Sequence, residues 1–237
     1  MIIYIIMKII TYIITFLALT LHILLAEEDL MKKADNYFAK GKFSLAEVFY
    51  KKAIQDSPED FHANFNLGKI YFIQRDHANT VKYMERAYDI DPKNEILFYI
   101  GNSYVNNDQP EKGLSTYSNL IRKDPDYADV YLNAGNIGLK KLYNKYLTIV
   151  HWEKFLEIRP DDPQAPNIRK ALEYLRDPNF ILRPPKDGNP ATFIDKSANG
   201  DTSTTNIPIF ADIKGKDLKS KAEEKYNLKN KKTITTE

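Results

Sequence analysis

Apolar and polar positions divide the chain into three stretches. Residues 1–25 are almost wholly apolar, broken by Lys8, His22 and a few hydroxyls. From residue 27 to 176 small and large residues recur at helical spacing, which predicts a run of packed helices. Residues 163–176 close that run with a stripe of Ile168, Leu172 and Leu175, with Arg169, Lys170 and Glu173 on the other side. This is the pattern of a helix packed on one face. After Arg176 the pattern stops, and no helical period returns until about residue 216.

The middle stretch repeats itself. Pro58, Pro92, Pro125 and Pro160 are separated by 34, 33 and 35 residues. In phase with them run the small residues Ala34, Gly68, Gly101 and Gly135, and then Tyr37, Tyr71 and Tyr104, with Gly138 in the fourth copy. A second series pairs small Ala46, Thr80 and Gly113 with large Tyr50, Met84 and Tyr117. Ala53 and Ala87 follow, with Leu120 and Phe155 as bulkier equivalents. Small residues let two antiparallel helices approach, and large ones fill the groove opposite. Each proline falls where a helix has ended. Asp91-Pro92 and Asp124-Pro125 place an acceptor in position to cap the next helix. The second helix of the fourth copy, about 144–158, needs one extra residue to reach Pro160, so that copy is expected to be distorted but present.

This pattern resembles the tetratricopeptide repeat (TPR). Leu67-Gly68-Lys69-Ile70-Tyr71 and Ile100-Gly101-Asn102-Ser103-Tyr104 match its first-helix core. Ala87-Tyr88-Asp89-Ile90-Asp91-Pro92 matches its second-helix ending. The match covers roughly 27–160. It implies an all-α, right-handed solenoid of four helix pairs closed by a capping helix, with a concave face that binds partners. The expected domains are a leader or anchor at 1–26, the repeat domain at 27–176 and a flexible Pro- and Lys-rich tail at 177–237.

The ends suggest a location. Leu24-Leu25-Ala26 before Glu27-Glu28 offers a signal-peptidase site. Met7-Lys8 offers an internal start that makes a more ordinary signal peptide. Left uncut, about 24 apolar residues would span ~36 Å as a helix, enough for a bilayer. The signal resembles a bacterial one, so the expectation is an exported protein, periplasmic or anchored facing the periplasm. The net charge of +2 gives no bulk case for nucleic acid. Absence of cysteine excludes disulfides and cysteine-ligated metal. Lys214–Lys232 carries eight lysines against three carboxylates, a solvated tail or a contact for anionic lipid or envelope polymer. Tail residues 177–210 hold apolar clusters such as Phe180-Ile181-Leu182 that could occupy the protein's own surface.

No catalytic constellation stands out, and neither a cofactor nor a metal is expected. His62, His77 and His151 fall in different repeats without ligand spacing. Glu27-Glu28 and Asp161-Asp162 read as acidic helix starts. The informative face is the one the resemblance makes concave. Its peptide-groove candidates are Phe38, Phe65, Asn66, Lys69, Phe72, Phe98, Asn102, Asn133 and Asn136. Amides can pair with any extended backbone and aromatics supply contact area, although the same asparagines could bond within the repeats. Met31 and Phe98 stand where a carboxylate clamp would need cations, which argues against a heat-shock cochaperone. The expected function is a non-catalytic adaptor of the bacterial cell envelope that holds a peptide segment of a protein partner. The alternative is a glycan- or peptidoglycan-binding accessory component.

Overall fold

The computed structural model describes residues 2–183, with the short segments 192–195 and 204–206. Among them are nine helices: α1 Ile2–Ala39, α2 Phe43–Asp56, α3 Phe61–Gln74, α4 His77–Ile90, α5 Asn94–Asn106, α6 Pro110–Lys123, α7 Ala128–Lys140, α8 Lys145–Ile158 and α9 Ala165–Arg176. Each odd helix from α1 to α7 packs most extensively on the even helix that follows it. The all-α repeat architecture of a TPR solenoid is therefore present. The helices fall into two compact units, α1–α4 up to Pro92 and α5–α9 from Lys93.

The small-to-large series makes the contact within each pair. A Cβ at Gly101 would lie 2.3 Å from Tyr117 Cε1, and one at Gly135 would lie 2.2 Å from Trp152 Cδ1. At Gly68 the neighbour is the Met84 side chain, at 3.0–3.2 Å. Tyr50, Met84, Tyr117 and Trp152, the four large residues, are fully buried or nearly so.

The four intrahelical-pair turns share one device. Gly41, Arg75, Asp108 and Tyr143 all have positive φ, between 50° and 68°. Three non-glycine residues thus hold a left-handed conformation that glycine adopts freely. In the first three turns the next N–H donates to a tyrosine carbonyl five residues back: Lys42 to Tyr37, Asp76 to Tyr71, Gln109 to Tyr104, each 2.9 Å. In the fourth, Asn144 N–H donates to Gly138 O at 2.8 Å across one more residue. The extra residue of the fourth copy is absorbed here. It brings Thr148 Oγ1 to 2.8 Å, and its backbone N to 3.0 Å, from where a Gly138 Cβ would be, so no aromatic fits.

Caps differ from the expectation. Asp91 and Asp124 are C-caps, their own N–H groups donating to Ala87 O and Leu120 O. The N-terminal caps are Asp60, Asp76 and Asn144, accepting from Ala63, Asn79 and Leu147 N–H. The proline after each aspartate favours extended backbone there, and the next helix starts two or three residues after that proline. Glu27-Glu28 does not start a helix either. It lies inside α1, which runs without a break through Ala26. The part of α1 from 27 to 39 is 13 residues, the length of α5 and α7.

Large apolar side chains from Ile3 to Leu19 are exposed all round α1, most of them by half or more. Thr11, Thr15 and Thr20 hydroxyls donate to the carbonyls of Met7, Tyr12 and Leu17 at 2.9–3.0 Å. Among the described residues no helix is long and apolar enough to cross a membrane.

Order extends past Arg176, where composition predicts none. Phe180 and Leu182 join the core made by Leu132, Leu139, Trp152, Phe155, Ile168, Leu172 and Leu175. Lys145 Nζ donates to Asp177 O at 2.9 Å and Phe180 O at 3.0 Å, fixing the link. Phe180–Ile181 (β1), Thr192–Asp195 (β2) and Thr204–Asn206 (β3) form an antiparallel sheet in the order β1-β2-β3. Part of the tail thus does cover the protein's own surface, at α7–α9. The Lys214–Lys232 stretch and the helix expected from about 216 lie outside the described residues.

Candidate functional site

In the first unit, three of the predicted groove residues meet. Lys69 Nζ lies 5.0 Å from the Phe38 ring centroid and 5.3 Å from that of Phe65. Phe65 stacks on Phe61 at 5.5 Å, and Phe38 meets Phe43 and Tyr50 edge-on. Phe38, Phe65 and Lys69 are all half-buried. Helical spacing explains the meeting: Phe65 and Lys69 are four apart on α3, and Phe38 faces them from α1. A cation held over two ring faces is attracted by their π-density, about 0.5–1 kcal/mol each at exposed sites.

Beside it runs a polar chain. Tyr50 OH donates to Asp35, His62 Nε2 lies 2.8 Å from Asp35 Oδ1, and Asn66 meets the same nitrogen at 2.8 Å. Nε2 has one place for a hydrogen: protonated it donates to Asp35, and unprotonated it accepts from Asn66 Nδ2. Burial, then the Asp35 bond, push the Tyr50 phenol well above its ordinary range, so it stays a neutral donor. His62 and Asp35 are each about half exposed, which leaves this chain within reach of a partner.

In the second unit the amides serve the fold. Asn102 Nδ2 donates to Phe98 O at 2.8 Å. Its Oδ1 accepts from Tyr117 OH at 3.0 Å and from Asn133 Nδ2 at 2.9 Å. Asn133 Nδ2 also lies 3.4 Å from Tyr117 OH. Tyr117 is wholly buried, and burial pushes its phenol up. Asp129, nearly buried, accepts from Arg159 Nη1 at 2.8 Å.

The nine candidates therefore divide. Phe38, Phe65 and Lys69 form one half-buried patch, with Asn66 in the adjoining chain. Phe72 and Phe98 are core residues, Phe98 packed between Tyr117 and Tyr127 at 6.0 and 5.4 Å. Asn102 and Asn133 are bonded to one another. Asn136 stands apart: among the described residues, neither of its buried amide atoms has a hydrogen-bond partner. Residue type misled at Phe98, because its face of α5 is covered by Tyr117 and also by Tyr127, which the repeat phase does not announce.

One concavity was not foreseen. Tyr131, Val150, His151, Glu153, Lys154 and Glu157 line an open hollow of about 370 Å³. His151 Nδ1 donates to Leu147 O at 2.9 Å, which leaves Nε2 as the acceptor of the neutral ring. Lys154 pairs with Glu157 at 2.6 Å, and Glu153 with Arg176 at 2.7 Å.

Comparison with known proteins places these features. Two tetratricopeptide repeat models match, over residues 31–95 and 95–127. The MamA protein superposes with a TM-score of 0.57 and 21% identity, covering 64% of this chain and 84% of that one. A TPR protein from Parabacteroides merdae gives 0.58 and 22%, covering 64% and 60%. YrrB, described as a TPR protein with an unusual peptide-binding site, gives 0.51 and 14%, covering 62% and 78%. Among curated sequences, mouse protein O-mannosyl-transferase TMTC1 is 24% identical over 51% of this chain. The Arabidopsis thaliana CTR9 homolog is 27% identical over 52%. The matched residues span only 13% and 12% of those proteins' lengths, so the likeness is one of repeats. The in-phase glycines and tyrosines, the helix pairs they build and these matches agree that residues 31–127 are built of tetratricopeptide repeats.

Proposed function

We propose that this protein is a non-catalytic scaffold of the bacterial cell envelope that binds an extended peptide segment of a protein partner on its first unit. The TPR fold is in general a protein-interaction scaffold. The observation that carries the finer reading is the half-buried Phe38–Lys69–Phe65 patch beside the Asp35–His62–Asn66 chain. A partner's apolar side chain covers the rings, and a carbonyl or carboxylate approaches the lysine. Burial at ~25 cal/mol per Å² supplies most of the gain, reduced by the cost of ordering the peptide. The exposed apolar sheath of α1 supports an exported or membrane-held location.

An array of 15-residue peptides from envelope proteins tests the reading, with a peptidoglycan pulldown beside it. Phe65→Ala and Lys69→Ala should each weaken the tightest peptide several-fold without lowering the melting temperature by more than a few degrees. Binding to peptidoglycan alone, or peptide binding indifferent to both substitutions, refutes it.

A further inference from the structure

In the first unit, α2, α3 and α4 share a set of contacts that the proposed groove does not use. The Tyr71 ring of α3 stacks on the Tyr83 ring of α4, with centroids 5.5 Å apart. Tyr71 OH donates to Glu47 Oε1 at 2.9 Å, and Lys51 Nζ, also on α2, reaches the same oxygen at 2.6 Å. Tyr71 is thereby fixed, and it fixes Tyr83. Two cations also lie against the Tyr83 ring, Lys82 Nζ at 5.3 Å and Arg86 Cζ at 5.6 Å from its centroid.

These two lack what several other basic residues of the repeats have. Lys141, Lys154, Arg159 and Arg176 each meet a carboxylate at 2.6–2.9 Å. Among the described residues no carboxylate pairs with Lys82 or Arg86, Glu85 and Asp89 on the same helix included. Lys82 and Arg86 are four apart on α4, a spacing at which like charges repel. The π-density of Tyr83 holds both heads nonetheless. Both residues are exposed, and Tyr83 is half-buried. Two positive charges are therefore preorganised around one ring and open to solvent.

We infer that the Lys82–Tyr83–Arg86 cluster is a second docking site, on α4 of the first unit, for an acidic segment of a partner polypeptide. The guanidinium offers parallel N–H donors that match one carboxylate, and the ammonium meets a second as a point charge. An extended chain with carboxylates at alternate positions presents them on one side about 7 Å apart. Two cations on a single ring can span that spacing. A lipid surface rewards cations spread over an area, whereas two held on one ring suit a narrow ligand. The cluster shares no residue with the Phe38–Lys69–Phe65 patch, so it stands or falls apart from the groove.

The test uses the full chain and the fluorescence anisotropy of a labelled peptide of alternating Glu and Gly, with its Gln-for-Glu counterpart as the neutral probe. The acidic peptide should bind, more weakly as salt is raised, and the neutral one should not. Lys82→Ala and Arg86→Ala should each weaken it about threefold, the loss of one exposed ion pair, and the double variant about tenfold. Tyr83→Leu keeps every charge yet should weaken the peptide as well, because it releases both heads. Lys170→Ala, on α9 of the second unit, makes the same change in net charge as Arg86→Ala and should leave the affinity as it is. Unchanged affinity in Arg86→Ala overturns the inference, and so does an equal loss in Lys170→Ala, since bulk charge then explains the binding. A loss in Phe65→Ala with none in Arg86→Ala puts the acidic peptide in the groove, so the scaffold reading stands and this one fails. Phosphatidylglycerol vesicles that depend on Arg86 while the peptide does not overturn it in favour of lipid. A wild-type chain that does not bind the acidic peptide overturns it too, and leaves the groove reading untouched.

Discussion

Gly101→Ala adds one methyl group, and the structure says where it goes. The new Cβ would sit 2.3 Å from Tyr117 Cε1, 2.6 Å from Cδ1 and 3.2 Å from Cζ. Tyr117 cannot swing away. It is almost fully buried, packs on Phe98 with ring centroids 6.0 Å apart, and its hydroxyl bonds to Asn102. Overpacking of this kind costs about 1–3 kcal/mol. Losing the hydroxyl bond adds about 0.5–1.5 kcal/mol. Helix propensity returns about 0.5–1 kcal/mol, because alanine is stiffer than glycine in the unfolded chain. The net expectation is a loss of about 1–3 kcal/mol, or roughly 2–10 °C in melting temperature. Gly68→Ala is the internal control. Its Cβ meets Met84 at 3.0–3.2 Å, and methionine is flexible enough to re-pack. That variant should be neutral or slightly stabilising. Urea titration followed by Trp152 fluorescence reads the first variant, and far-UV circular dichroism reads the second. Equal stability of Gly101→Ala and wild type refutes the reasoning, as does a Gly68→Ala loss as large as that of Gly101→Ala.

Phe180→Ala should cost about 3–5 kcal/mol, because Phe180 belongs to the α7–α9 core. A chain ending at Arg176 should accordingly melt lower than one ending at Arg183, measured by thermal denaturation. Arg75→Gly should raise stability by about 0.5–1 kcal/mol, since Arg75 holds φ at 62° in a turn where Gly41 serves its sister repeat; a urea midpoint reads it. Burial holds the His151 imidazole below its ordinary 6.5, with the Leu147 carbonyl bond opposing it. The unfolded chain therefore takes up that proton first as pH falls, so the contribution is full above about 6.5 and lost below it. His151→Gln should flatten the fall of the urea midpoint between about pH 7 and pH 5.5 relative to wild type.

Much of this fold was legible because its packing is periodic. A small residue that admits a large one must recur where the two helices of a pair touch, so Ala34, Gly68, Gly101 and Gly135 announced the helix pairs directly. The left-handed turn residues recur in the same phase, yet Arg75, Asp108 and Tyr143 share no chemistry with Gly41 and gave no signal. Phe180 and Leu182 were hidden for a different reason. Two apolar residues after a proline show no helical period, and their burial depends on the lysine of another helix, Lys145. Within the candidate site, the family resemblance put Phe38, Phe65 and Lys69 on one face, and the structure brings them together. The resemblance did not separate Asn102, which bonds inward through Tyr117, from Asn136, where a tryptophan takes the tyrosine's place. The difference lies sixteen residues away from Asn136, on the next helix.

Where a peptide touches the protein tests the account most directly. The amide and side-chain signals of the labelled full chain can be followed by NMR as the tightest array peptide is added. The account predicts that the largest shifts fall on Phe38, Phe65, Lys69 and their neighbours His62 and Asn66. Shifts confined to the Tyr131–His151 hollow, with the Phe38–Lys69–Phe65 patch unmoved, would contradict it.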